Sequence, residues 1–271
     1  MYNRYRFSSY TGSLKSGKDF TKVVQDCTIT NAKKKILVII PAYNEEHSIP
    51  KVISGILKYP GIDVVVVNDG SKDETSAATL RAGASVIELP FNLGIGGAVQ
   101  TGYLYAYRNG YDIAVQCDAD GQHDPEYLLK IIDPVYRGEA DMVIGSRYVQ
   151  ASGYKTPLTR KMGMLIFAAV VSFITGQSLY DTTSGYRAVS KRVIKFFANN
   201  YPTDFPEVEA LVILKRNGFT IKEVPVKMAY REHGVSSITP IKSIYYMIKV
   251  LLAIIMNVLR ASKKEAKIDE I

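Results

Sequence analysis

Ile36-Leu-Val-Ile-Ile-Pro-Ala-Tyr-Asn-Glu-Glu46 opens with five consecutive aliphatic residues and stops at a proline. A run of that length without polar alternation predicts a strand covered on both faces. Ala42-Tyr-Asn44 then reads as a turn, and Glu45 and Glu46 open a helix to about Tyr59, their charges suited to a helix N-terminus. The unit repeats. Ile62-Asp-Val-Val-Val-Val67 is a second buried strand, Asn68-Asp-Gly-Ser71 a turn, and Asp73 to about Ala82 a helix. Ser85–Leu89 is a third strand, followed by a Gly-rich loop and a helix from about Gly97 to Arg108. Asp112–Cys117 and Asp141–Gly145 make a fourth and a fifth strand, with a helix after Pro125 between them.

Strands alternating with helices at this spacing predict βαβ units, hence an α/β fold of the Rossmann-like kind, with a mainly parallel sheet covered by helices on both faces. Ligands of such sheets bind beyond the carboxyl ends of the strands. Five turns, Pro41 to Glu45, Asn68 to Ser71, Asn92 to Gly97, Asp118 to Gln122 and Ser146 to Arg147, are therefore expected to line one crevice. Past Arg147 the rhythm breaks. The sequence offers a helix at Arg160–Thr175, a strand at Ser184–Val189, a helix at 190–199, a strand pair within Thr220–Met228 and a last helix from about Pro240 to Ser262. The expected organisation is a flexible basic N-terminal extension over 1–34, one domain over 35–240, and a C-terminal amphipathic helix with a basic tail over 241–271.

The 271 residues carry 34 Lys and Arg against 26 Asp and Glu, a formal charge of +8. That excess sits at the ends. Residues 1–35 hold eight basic and two acidic side chains, residues 241–271 six and three, and the stretch between them 20 and 21. A near-neutral body lacks the positive field that neutralises nucleic-acid phosphates, so nucleic acid is excluded as a partner. Two cysteines far apart, Cys27 and Cys117, form neither a metal-ligand spacing nor a disulfide framework and suit a reducing cytoplasm. The N-terminus has no apolar core of a secretory signal. The longest apolar stretches, Met162–Thr175 and Ile244–Leu259, fall short of the about 20 residues that a bilayer core requires.

Asp118-Ala-Asp-Gly-Gln122 carries the strongest chemical signal. Two carboxylates one residue apart at a strand end can aim oxygens at one hard divalent cation, which can in turn bridge nucleotide phosphates; the same residues also suit an ordinary solvated turn. Asp69, at the second strand end, could accept the imide N–H of a uracil ring or cap the following helix. The Gly-rich stretch Asn92–Ala98 could bring backbone N–H groups to phosphate. Asp181, in a Gly- and Ser-containing turn, is the best candidate for a general base and equally suited to binding N–H groups of its own turn. His123 and His233 have no third His or Cys at zinc spacing, and His123 is expected to shape its loop. The segment Arg231–Ser237 either folds over a bound ligand or simply connects to the last helix.

Five stretches in order, Ile39-Ile-Pro-Ala-Tyr-Asn-Glu-Glu46, Val67–Asp73, Asp118–Glu126, Gly145-Ser-Arg147 and Asp181–Arg187, resemble the inverting glycosyltransferases of family 2 with the GT-A fold, and within them the dolichol- and polyprenyl-phosphate branch. The resemblance covers roughly 35–235. It implies a metal-dependent transfer of a hexose from a nucleotide sugar, UDP-glucose or a similar donor, to a polyprenyl phosphate or other membrane-linked acceptor; the alternative acceptor is a hydroxyl of a growing surface polysaccharide or glycoprotein glycan. Pro41, Tyr43, Glu45, Asp69 and Asp118 would then bind the nucleotide. Asp118, Asp120 and Gln122 would hold Mg²⁺ or Mn²⁺, and Arg147, Arg160 and Arg231 would attend to phosphates. Asp181 would be base or acceptor orienter. Ile95 departs from the lysine that many relatives carry, so no charged phosphate contact is expected there.

The last helix sets Ile241, Ile244, Ile248, Leu252, Ile255 and Leu259 against Lys242, Lys249 and Arg260. Such a helix can lie in a membrane interface, pack on the domain, meet a small membrane partner or join two subunits. The expected location is the cytoplasm, at the inner face of the cell membrane.

Overall fold

The computed structural model describes residues 34–149, 168–229 and Lys249. The N-terminal extension, the C-terminal helix, Arg160, Arg231, the first part of the 160–175 helix and the 231–237 segment lie outside the described residues. Seven strands form one sheet: β1 (Ile36–Ala42), β2 (Ile62–Asn68), β3 (Ser85–Glu88), β4 (Ile113–Gln116), β5 (Met142–Ser146), β6 (Arg187–Ser190) and β7 (Ile221–Pro225). Their spatial order is β3-β2-β1-β4-β6-β5-β7, and only β6 runs against its neighbours β4 and β5.

The aliphatic run at 36–40 is buried on both faces, as its lack of alternation requires. Leu37 and Ile39 point into one core with Val65 and Val67, while Val38 and Ile40 point into the other with Val64 and Val66. Helices α3 (Gly94–Arg108), α5 (Lys191–Asn199) and α6 (Pro206–Arg216) cover the first face, and α1 (Ile49–Ile56) and α4 (Leu128–Tyr136) the second. The short α2 (Thr75–Arg81) lies between β2 and β3 in the chain. Gly102 lets α3 approach β1 closely, since a Cβ there would stand 2.2 Å from Ile39 Cγ2.

Three differences from the sequence reading have physical causes. Helix α1 starts at Ile49, because Glu45 O takes the N–H groups of Ser48 and Ile49 in a preceding turn and Pro50, lacking an N–H, suits the first helical turn. The Thr220–Met228 stretch is one strand parallel to β5, with only a bridge from Met228 to His123 beyond it. Helix α6 was not anticipated. Seven of its eleven residues, Glu209 among them, are buried, which blurs helical periodicity.

Candidate active site

Loops leaving the carboxyl ends of β1 to β5, with the turn that leads into antiparallel β6, meet at one end of the sheet. The first two are laced together. Asn44, at a left-handed φ of 56°, donates its N–H to Ser71 Oγ at 2.9 Å and accepts the Lys72 N–H on Oδ1 at 2.8 Å. Glu45 donates its N–H to Thr75 Oγ1 at 2.9 Å and accepts the Ser48 hydroxyl on its carboxylate. Tyr43 is exposed beside them, whereas Pro41 is buried within β1, level with Val67 of β2.

Asp69 reaches the third loop. It is buried, its N–H continues the ladder onto Ala42 O, and its carboxylate accepts the N–H groups of Leu93 at 2.7 Å and Gly94 at 2.9 Å. It therefore caps α3, the helix after β3, and not α2, the next in the chain. A carboxylate has about four lone-pair sites, so this arrangement leaves acceptor capacity for a ligand donor.

The two acidic residues after β4 stand on an ordered loop. Cys117 extends the ladder to Ile39 O at 3.0 Å and is buried; Asp118 and Asp120 are partly exposed, with Ala119 buried between them. Asp120 Oδ1 accepts the Gln122 N–H at 3.0 Å, closing a turn over Gly121, whose φ is 76°. His123 organises this loop from beneath. Its Nδ1 accepts the Asp118 N–H at 2.9 Å, its ring stacks on Tyr186 at 4.7 Å, and Nε2 stands 3.6 Å from Asp118 Oδ2. An Nδ1 that accepts carries no proton, which assigns the neutral Nε2–H form. Burial holds the imidazole down to about 4, against the pull of Asp120 and Asp181 and with the help of the Arg147 cation. Gly185 leaves room for Asp118, since a Cβ there would lie 2.9 and 3.0 Å from its carboxylate oxygens.

Among the described residues, no three His, Cys, Asp or Glu side chains are grouped to hold a metal by themselves. Asp118 and Asp120 nevertheless fit one use. Mg²⁺-like ions in nucleotide sites take one or two protein carboxylates and complete their shell with water and substrate phosphate.

Across the crevice, Arg147 follows β5 and Asp181 precedes β6. The pair is bidentate: Nε to Oδ2 and Nη2 to Oδ1, both 2.7 Å, with the Arg147 backbone N–H adding a third bond to Oδ2 at 3.0 Å. The Asp181 side chain has 0% exposure, and Thr183 adds its hydroxyl to Arg147 Nη2 at 2.9 Å. Glu223 of β7 accepts the N–H groups of Asp181 at 2.7 Å and Tyr180 at 2.9 Å. Arg187, fully buried, spans the floor. It donates to the carbonyls of Ser184, Thr182 and Glu207, tying the 182–185 turn to the start of α6, while its Nη1 has no hydrogen-bond partner among the described residues. A cavity of about 440 Å³ between α5 and α6 is lined by other residues, Asn200, Thr203 and Asp204 among them.

The model of glycosyl transferase family 2 matches residues 37–198, more than half of the chain. The chain belongs to this family. This glycosyltransferase is 36% identical over 225 residues, 76% of its length and 90% of the relative's, to the UDP-N-acetylglucosamine–dolichyl-phosphate N-acetylglucosaminyltransferase of Methanococcus voltae. It is 31% identical to the polyprenol monophosphomannose synthase of Mycolicibacterium smegmatis, over 79% of its own length and 85% of that protein's. Among solved structures, glucosyl-3-phosphoglycerate synthase of Mycobacterium tuberculosis, in complex with Mn²⁺, UDP-glucose and phosphoglyceric acid, superposes with a TM-score of 0.62 at 21% identity. That match covers 83% of this chain and 79% of the other. The glycosyltransferase thus has the GT-A fold.

The structure gathers Tyr43, Glu45, Asp69, Asp118, Asp120, Gln122, Arg147 and Asp181 at one end of the sheet. Glu223 and Arg187 of this glycosyltransferase were not assigned site roles from sequence. Glu223 stands beside Lys222 in the Ile221–Val226 stretch, so a charge at that strand position does not single it out. Arg187 closes the Asp181–Arg187 stretch that carries the family resemblance, but spacing does not reveal its role, because the residues it binds offer backbone carbonyls.

Proposed function

We propose that this glycosyltransferase moves a hexose from a UDP-linked donor, UDP-glucose or a similar sugar, to the phosphate of a membrane-borne polyprenyl phosphate, inverting the anomeric centre in a single displacement. One observation carries the choice of acceptor. A hydroxyl must lose a proton to a general base as it attacks, but the Asp181 carboxylate already receives three N–H donors from Arg147 and has no exposed surface. A phosphate monoester, whose second pKa is near 6, arrives as an anion and requires no such base. The Methanococcus voltae and Mycolicibacterium smegmatis relatives, a dolichyl-phosphate N-acetylglucosaminyltransferase and a polyprenol monophosphomannose synthase, support the same acceptor class.

In this reading Asp181 is an orienter. It presents the planar guanidinium of Arg147 to phosphate oxygens, a geometry that Arg forms better than Lys. Arg160 and Arg231 would join it. Pro41, Tyr43, Glu45 and Asp69 hold the nucleoside, with Asp118 close to the nucleotide. Asp118, Asp120 and Gln122 would hold Mg²⁺ or Mn²⁺; the ion supplies positive charge at the leaving diphosphate. His123 keeps the Asp118 backbone in place, and Gly185 keeps space behind its carboxylate.

No helix among the described residues is long and apolar enough to cross a membrane, and the acceptor would be met at the inner face of the cell membrane. The test is to incubate the purified chain with radiolabelled UDP-glucose or UDP-N-acetylglucosamine, Mn²⁺ and vesicles containing undecaprenyl phosphate. Label extracted into organic solvent supports the proposal. Label found only in added glycan acceptors supports transfer to a hydroxyl instead.

A further inference from the structure

Behind the Arg147–Asp181 pair stands a third charged residue that neither the family match nor the proposed reaction uses. Glu223 is the middle residue of β7, level with Ile144 of β5. Its carboxylate takes two hydrogen bonds from the chain that leads into β6. Oε1 accepts the Asp181 N–H at 2.7 Å and Oε2 accepts the Tyr180 N–H at 2.9 Å, and the strand that carries Glu223 pairs with β5 as far as Ser146. Ser146 is the residue immediately before Arg147. Glu223 therefore holds one side of the ion pair, through the backbone that carries Asp181, while its own strand borders the other.

We infer that Glu223 is a positioning residue of the transfer reaction: it fixes the Tyr180–Asp181 backbone, and so sets where Asp181 holds the Arg147 guanidinium at the acceptor phosphate. The inference rests on the proposed role of Arg147 as a phosphate contact. The chemistry explains why a carboxylate stands at this strand position. Two N–H donors converge on one side-chain end, and only a carboxylate offers two acceptor atoms there; a glutamine would turn an N–H₂ group toward one of them. An aliphatic residue would suit the sheet but leave both backbone donors without partners. Holding a carboxylate here has a cost, since burial, aided by the Asp181 charge, raises the Glu223 carboxyl above its ordinary value against the two N–H donors that favour its charged form.

The test is a double-substitution cycle on the full chain, with undecaprenyl phosphate as acceptor and whichever of UDP-glucose or UDP-N-acetylglucosamine the unmodified protein uses. Glu223→Gln is expected to raise the acceptor KM about tenfold while moving the donor KM less than about twofold. In an Arg147→Lys background, whose ammonium lacks the bidentate fork, the same change is expected to move the acceptor KM less than about twofold, the non-additivity of residues acting through one contact. A Glu223→Gln effect that persists in full in that background, or that shifts both KM values alike, overturns the inference. An unchanged acceptor KM in Arg147→Lys alone overturns the phosphate role of Arg147 and this inference with it. Thermal melts establish folding; if Glu223→Gln does not melt cooperatively, Glu223→Asp, which keeps the charge and withdraws both oxygens by one methylene, takes its place in the cycle with the same expected pattern.

Discussion

Arg147 and Asp181 meet through two parallel hydrogen bonds of 2.7 Å, on a carboxylate that no solvent reaches. Thirty-four residues separate them in the chain, and the sheet brings them together because β5 and antiparallel β6 are neighbours. The pairing changes the meaning of both residues. An aspartate so bound orients a cation and is poorly placed to take a proton.

Asp181→Asn tests this directly. The amide replaces one acceptor oxygen with a donor facing the guanidinium, leaving a largely buried cation half paired. Breaking such a pair costs about 3 kcal/mol. We expect a clear fall in melting temperature together with a rise in the acceptor KM, and a donor KM that stays close to its original value. Steady-state kinetics with each substrate varied, alongside thermal melts, checks both.

Gly185→Ala separates the fold from the acidic site. The new Cβ would stand 2.9 and 3.0 Å from the Asp118 carboxylate oxygens, the end of a short side chain and not backbone. The carboxylate can swing away, so the fold survives while Asp118 is displaced. The expected result is a metal requirement shifted to roughly tenfold higher Mn²⁺ with a melting temperature changed by only a few degrees, measured by metal titration of activity and by calorimetry.

The βα rhythm is legible in residues 36–146 because both faces of β1 and β2 are covered, and continuous aliphatic runs such as Ile36–Ile40 follow from that. The acidic loop at Asp118 and Asp120 is legible for a related reason: it interrupts such a run at a strand end. What the sequence hid depends on pairings distant in the chain. Asp69 caps α3 through Leu93 and Gly94, more than twenty residues away, so local spacing pointed to the wrong helix. Glu223 and Arg187 act on backbone N–H and carbonyl groups, which nearly every residue type supplies, so their targets leave no compositional trace. Helix α6 did carry end signals, with Pro206, Glu207 and Glu209 in its first turn and Lys215 and Arg216 in its last. Its burial on several sides erased the period that would have drawn attention to them.

Asp69→Ala removes the cap of α3. Loss of such a cap costs about 1 kcal/mol, and the freed Leu93–Gly94 backbone no longer holds the third loop against the second. A modest loss of thermal stability and a raised KM for the UDP-sugar are expected together. Denaturant melts and donor kinetics read the two effects.

His123 gives the protein a pH signature. The unfolded chain takes up a proton on this ring near pH 6.5, whereas the folded protein refuses it until about pH 4, because burial disfavours the imidazolium and protonation would break the bond from the Asp118 N–H. The unfolded state therefore binds more protons between those values, and stability falls as pH falls through that window. His123→Asn keeps an acceptor and removes the titration. Its stability-versus-pH slope between pH 6.5 and 4 should be shallower than that of the unmodified protein, as followed by urea melts at several pH values.

The acceptor's charge is the central claim, and a pair of short soluble acceptors isolates it. Farnesyl phosphate and farnesol share one hydrocarbon chain and differ in whether the attacking oxygen is already anionic. Measured side by side at pH 7 with the same UDP-sugar and Mn²⁺, farnesyl phosphate is predicted to be glycosylated at least about a thousandfold more efficiently in kcat/KM. Comparable transfer to farnesol would show that the site activates a hydroxyl, and would contradict the reading of Asp181 as the holder of Arg147 and of the acceptor as a lipid phosphate.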